Sequence, residues 1–147
     1  MPTLQWFHTE EREGRTYVFD PLRRREVALT PEEEVRQQVL YLLVEGLKVP
    51  AGLVAVEYSL KVNGMDRRAD VVVFGKEGRP LMVVECKAPA VALTEAVLDQ
   101  AVRYHSVLGP RYILLTNGGS TYCFKAEGQA LSSLNHLPDF SEMTGQV

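Results

Sequence analysis

Cysteine and tryptophan are scarce in this chain, with two and one in 147 residues. Cys86 and Cys123 both fall inside apolar runs, so they read as buried free thiols of a reducing cytoplasm rather than as a disulfide framework. No run of 18 apolar residues is present, which excludes a helical membrane span. The segment Met1-Pro2-Thr3-Leu4-Gln5-Trp6 lacks the basic and apolar regions of a signal peptide. The three histidines, His8, His105 and His136, are scattered, and no Cys/His spacing resembles a zinc site. His105 reads as a packing or hydrated residue without catalytic work. Basic charge is not in excess either. The net charge is −3 and the pI is near 5.6, which argues against gripping nucleic acid by bulk charge and leaves only local or shared contacts. Gly118-Gly119 lacks the lysine and serine or threonine of a phosphate-cradling loop.

What is present is ordinary globular material, 46% hydrophobic and 24% charged, enough for one domain with a real core. The spacing predicts an N-terminal extension over 1–29, a core over 30–126 and a tail over 127–147. In the extension, Arg15–Phe19 and Arg25–Leu29 are strand-like around the turn Asp20-Pro21-Leu22-Arg23. Thr30-Pro31-Glu32-Glu33 opens a helix, with Thr30 as N-cap, Pro31 in the first turn and Glu33 at the capping-box position. That helix is expected to run to about Lys48. A long strand over 52–63 follows, then strands over about 67–74 and 80–87, a helix from Thr94 to about Leu108, and strands over 111–117 and 121–125. The tail from Leu131 is weakly patterned and expected to be loosely packed. This order predicts an α/β fold, a mixed central β-sheet flanked by helices, with a parallel crossover from the strand ending at Lys87 to the one starting at Arg111.

The most informative residues are charges set against apolar runs. Asp70 opens Val71-Val72-Val73-Phe74, and Glu85-Cys86-Lys87 closes Leu81-Met82-Val83-Val84. Alternation puts Glu85 and Lys87 on one face and Cys86 on the other. Antiparallel pairing through Gly75–Gly78 would set Asp70 beside them, where burying a charge is costly unless it is paired or metal-bound. Two carboxylates and a lysine so placed can hold Mg²⁺ and orient an attacking water, although a strand-end ion pair is the alternative.

In the first helix, Val35, Val39, Leu42, Leu43 and Leu47 define the apolar face. Projection at 100° per residue places Glu32 and Arg36 within it, as a paired charge reaching the site, and leaves Glu33 as a cap. A dipole-favoured glutamate is the alternative for Glu32. Gln100 and Tyr104 share a face of the second helix. Arg103 is a possible phosphate contact. The run Arg23-Arg24-Arg25 reads as a solvated turn or, less favoured, as a DNA backbone contact.

Arg68-Ala69-Asp70 with Glu85-Cys86-Lys87 resembles the PD-(D/E)xK nuclease motif, with Ala69 in the proline position. From about Arg25 to Phe124 the chain resembles the N-terminal nuclease domain of type I restriction enzyme R subunits. The matching pieces are Thr30–Glu33 with Val35-Arg36-Gln37, Leu60–Gly64, Arg67–Asp70, Val84–Pro89, Gln100 with Arg103-Tyr104, and Leu115–Gly118. The resemblance implies a restriction-endonuclease-like fold and Mg²⁺-dependent hydrolysis of a DNA phosphodiester, with Mn²⁺ able to substitute. It implies Asp70, Glu85 and the Cys86 carbonyl as metal ligands, Lys87 and Glu32 as further catalytic groups, and Gln100, Tyr104, Arg36, Arg67, Arg68 and Arg103 as site-supporting or DNA-binding residues. R subunits carry a helicase motor after this domain, whereas here the chain ends at Val147. A stand-alone nuclease domain is therefore expected, with a weakly catalytic DNA-binding or assembly module acting with a separate motor or specificity subunit as the alternative. A plain interaction domain with structural charges is a third reading.

Overall fold

A computed structural model describes residues 3–145. Its centre is a six-stranded mixed sheet: β4 (Val54–Val62), β5 (Met65–Phe74), β6 (Pro80–Cys86), β7 (Tyr112–Thr116), β8 (Thr121–Glu127) and β9 (Ala130–Leu134), in that spatial order. All neighbours are antiparallel except β6 and β7, which pair in parallel with Met82 opposite Tyr112. The connection between them carries α2 (Glu95–His105), so the crossover read from the sequence is present. Strands β5, β6 and β7 hold continuous buried apolar runs, as expected of strands covered on both faces.

The helix α1 (Pro31–Tyr41) packs Val35, Val39, Leu40 and Leu43 onto Val71, Val73, Met82 and Val84. The other face of β5 and β6 presents Ala69, Val72 and Val83, which pack with Leu60, Tyr58 and Leu108, the last of these just beyond α2. Strand alternation thus splits each apolar run between two cores.

Several sequence expectations change at the edges. The first helix ceases to be α-helical at Tyr41 and widens into a π turn over Leu42–Gly46, with the chain leaving through Lys48 at φ 63°. Thr30 caps it as expected, accepting from the Glu33 amide at 3.1 Å, but no reciprocal bond closes a capping box, because the Thr30 amide donates to the Ala28 carbonyl. The second helix ends at His105, followed by a 3-10 turn over Ser106–Leu108 and Gly109 in the left-handed region. The N-terminal hairpin gains a third strand and is an antiparallel sheet of β1 (Thr9–Arg12), β2 (Arg15–Asp20) and β3 (Arg25–Ala28). The tail is not loosely packed. Residues 130–134 form β9 on β8, and α3 (Phe140–Thr144) inserts Met143, fully buried, into the larger core. The weak pattern of β9 reflects its position as an exposed edge strand.

Candidate active site

The β5–β6 register pairs Val71 with Val84, which brings Asp70 and Glu85 together one step beyond the paired apolar residues. Asp70 Oδ2 accepts from the Cys86 amide at 2.7 Å, and Oδ1 accepts from Arg36 Nη2 at 2.9 Å. Glu85 Oε2 lies 3.1 Å from Lys87 Nζ, and its Oε1 lies 3.1 Å from His105 Nε2. The Lys87 amide is bound to the Thr116 carbonyl, which extends the β6–β7 ladder one residue and fixes the base of the lysine. Asp70, Glu85 and Lys87 therefore converge as the alternation predicted. Cys86 turns its thiol into the larger core, where burial raises its pKa well above the usual thiol range.

Burial pushes the Asp70 carboxyl up to about 6, aided by the nearby charge of Glu85 and Glu32 and opposed by the Cys86 amide and Arg36. Burial acts on Glu85 in the same sense, but the hydrogen bonds and charges of His105 and Lys87 outweigh it and hold that carboxyl below its ordinary value. Burial works against the Lys87 ammonium, yet contact with Glu85 raises its pKa.

A cleft of about 400 Å³ opens beside this group, lined by Arg67, Arg68, Glu85, Lys87, Gln100, Tyr104 and His105 among others. Gln100 is exposed and Tyr104 half-buried, and both share the cleft with Glu85. The Arg67 guanidinium lies over the Tyr104 ring, 5.7 Å from its centre. Arg68 is exposed and 3.6 Å from Glu57. Arg103 is exposed and does not line the cleft.

The acids of α1 are arranged differently from the helical projection. Glu33 is the buried one, with Oε1 3.1 Å from Arg36 Nη1, while the Glu32 side chain is 48% exposed and 3.7 Å from Arg36 Nη2. Glu32 thus stays near Asp70 electrostatically from a solvent-facing position, and Glu33 is an ion-pair partner rather than a cap. The projection failed because Glu33 turns toward β2 and Arg23 rather than toward the apolar stripe. Arg23 is likewise no solvated turn residue, since its side chain is 11% exposed and bound to Asp20 and Glu33.

Two residues were missed by sequence reasoning. His105 is buried as a packing residue should be, but its Nε2 also contacts Glu85, while its Nδ1 is buried without a partner. Its place directly after Tyr104 gave no sign of this. Glu57 stands opposite Asp70 at the step where β4–β5 pairing is interrupted, with φ 57°. A non-glycine residue there costs about 1–3 kcal/mol. Its carboxylate reaches Arg36 at 3.1 Å and Arg23 at 3.4 Å. A lone acid within Val54-Ala55-Val56-Glu57-Tyr58 was the available signal.

Among the described residues, no group of three or more His, Cys, Asp and Glu is placed to hold a metal ion. The donor set at the centre is two carboxylates, hard oxygen ligands of the kind and number that suit Mg²⁺, which keeps several of its waters. No helix of the described residues is long and apolar enough to cross a membrane.

Residues 31–138 match the family described as type I restriction enzyme R protein N terminus. No curated protein matches the chain. Among solved structures, the chain is similar to a fragment assigned to an HsdR subunit of a type I restriction enzyme from Vibrio vulnificus YJ016, at 22% identity and a TM-score of 0.59. That likeness covers 80% of this chain and 25% of the other, and it carries the fold, an α/β architecture with a mixed central sheet. The extent of the family match decides the assignment: the chain belongs to the type I restriction enzyme R protein N-terminal family.

Proposed function

We propose that this domain hydrolyses a DNA phosphodiester with the help of Mg²⁺ or Mn²⁺. The observation that carries the reading is the convergence of Asp70, Glu85 and Lys87 at the wall of a cleft edged by Arg67, Arg68, Gln100 and Tyr104. Asp70 and Glu85, with the Cys86 carbonyl, would hold the ion; when bound, it lowers the pKa of a coordinated water and neutralises charge on the scissile phosphate. Glu85 is ionised throughout the neutral range, and Asp70 becomes so above about pH 6, so both carboxylates are available to a cation at physiological pH. Lys87, paired with Glu85 and open to the cleft, orients the attacking water and donates to the developing phosphorane oxygen. Arg67 and Arg68 contact backbone phosphates, and Gln100 and Tyr104 bind or stack against the nucleotide that flanks the bond cut.

The chain spans a quarter of the length of the HsdR fragment it resembles, so a motor and specificity subunits that deliver DNA belong to this proposal as partners. Their absence sets the expected behaviour of the domain alone. A chain of net charge −3 neutralises few phosphates, so DNA binding is weak and falls steeply with salt. Mn²⁺, less exacting in geometry, supports more cleavage than Mg²⁺. The test is DNA cleavage and binding by the purified chain at low and physiological salt with each metal. Divalent-ion binding without cleavage under any condition favours the alternative of an assembly or DNA-binding module. That reading draws on the cationic partners that Asp70 and Glu85 already have in Arg36, Lys87 and His105. Cleavage indifferent to substitution of Asp70, Glu85 and Lys87 refutes the nuclease reading.

A further inference from the structure

The sheet β1–β3 lies before residue 31, outside the segment that matches the family. It nonetheless sends two buried side chains into the network behind Asp70. Asp20 is fully buried and all four of its contacts are hydrogen bonds: Oδ1 accepts from the amides of Leu22 and Arg23 at 2.8 and 3.0 Å, and Oδ2 from Arg23 Nε at 2.5 Å and Gln37 Nε2 at 3.1 Å. Arg23 Nη2 then donates to Glu33 Oε2 at 2.6 Å. The other oxygen of Glu33 accepts from Arg36 Nη1 at 3.1 Å, and Arg36 Nη2 donates to Asp70 Oδ1 at 2.9 Å. Charge alternates at every step from Asp20 to Asp70.

Buried ion pairs are poor stabilisers compared with apolar contacts of the same volume, so a chain of them has to be judged by geometry. The guanidinium is a rigid planar fork, and each arginine here spends its two ends on two different acids. Arg36 is shared among Glu33, Glu57 and Asp70, and Arg23 takes part of the demand of both Glu33 and Glu57. Without Arg23, those two glutamates have Arg36 as their remaining buried cation, and Arg36 is drawn away from Asp70. We propose that Asp20 and Arg23 are positioning residues for Asp70, acting through Glu33 and Arg36, which makes the N-terminal sheet a working part of the site. The proposal rests on reading Asp70 as a carboxylate of the reaction centre.

The test uses the whole chain and two readouts, one of them independent of activity. The Cys86 amide donates to Asp70 Oδ2, so its NMR signal reports where that carboxylate sits. Arg23→Gln is expected to move the Cys86 amide signal while those of Val83 and Leu114 in the sheet interior stay in place. With Mn²⁺ and DNA, kcat is expected to fall by about 10- to 100-fold, the scale of a displacement of roughly 1 Å, with KM within about twofold of the parent. In an Arg36→Lys background the same substitution should have little further effect, since the two act as one unit. Arg23→Lys, which keeps the charge but loses the fork, should recover only part of kcat. A folded Arg23→Gln chain with an unmoved Cys86 amide overturns the proposal, as does a kcat loss fully additive with that of Arg36→Lys. If the parent cleaves with no metal, the nuclease reading fails and the Cys86 amide alone decides whether the network positions Asp70. Should Arg23→Gln not fold, the near-isosteric Asp20→Asn is put through the same measurements and judged by the same outcomes.

Discussion

Asp70 and Glu85 are neighbours of similar exposure, 15% and 20%, yet their surroundings drive them in opposite directions. Glu85 faces the α2 side, where Lys87 and His105 each attend to one of its oxygens, and it is held in its ionised form. Asp70 is served by one cation from the α1 side, and Arg36 must also answer Glu33, Glu57 and the more distant Glu32. The dedicated cations win against burial, and the shared cation loses. Two carboxylates of one site thereby differ in acidity through the division of positive charge around them rather than through depth.

The strongest way to break this comparison is to remove the groups at its centre. Asp70→Ala and Glu85→Ala should each abolish measurable Mn²⁺ binding by calorimetry. Lys87→Ala should leave metal affinity nearly intact and lower the cleavage rate by about 10²–10³-fold, as loss of a transition-state charge partner does. Equal loss of metal in all three variants would overturn this division of roles. Arg36→Met strips the shared cation from buried acids and should cost about 3–5 kcal/mol in denaturant unfolding, more than any other single change on the α1 side.

A pH series sharpens the comparison. The folded value of Asp70, about 6, lies above its ordinary 3.8, so between those values the folded chain holds a proton that the unfolded chain has released. Its contribution to stability is therefore greatest below about pH 4 and is lost as pH rises through about 6, a loss of at most about 3 kcal/mol. Asp70→Asn should lack this decline relative to the parent. Mn²⁺ affinity of the parent should climb over the same window and then level off. On the other side of the sheet, His105→Ala should cost about 1–3 kcal/mol and raise the pKa of Glu85, read by carboxyl-detected NMR, with Asp70 little changed. The smallest effects belong to the cleft wall. Gln100→Ala and Tyr104→Phe should shift stability by less than about 0.5 kcal/mol and still weaken DNA cleavage, since both residues meet solvent rather than core.

Local patterning made the central strands legible: four-residue apolar runs with a charge at one end can sit in only one register without burying that charge alone, and Val71 against Val84 is that register. The convergence of Asp70, Glu85 and Lys87 followed from it. Strand β9 was illegible because an edge strand needs no apolar face, and the tail holds its place through distant contacts such as Met143 in the core. The choice between Glu32 and Glu33 failed for a related reason. The partner that selects Glu33 is Arg23, ten residues away on a separate sheet, and no helical projection contains it. His105 and Glu57 act through contacts 20 and 21 residues distant, with Glu85 and Arg36 respectively, which periodicity does not encode.

Helix α2 buries little more than Ala101 and His105 of its eleven residues, whereas β5, β6 and β7 are buried along most of their lengths. Opening free energies across a protein follow such differences in buried contact, so amide hydrogens of α2 should exchange well before those of the three central strands. The first sub-global opening then lifts His105, Gln100 and Tyr104 off the sheet and leaves Asp70, Arg36 and the Cys86 amide in place. The cleft would lose one wall and the Glu85 carboxylate one of its two braces, while the other carboxylate stays held within a still-folded remainder.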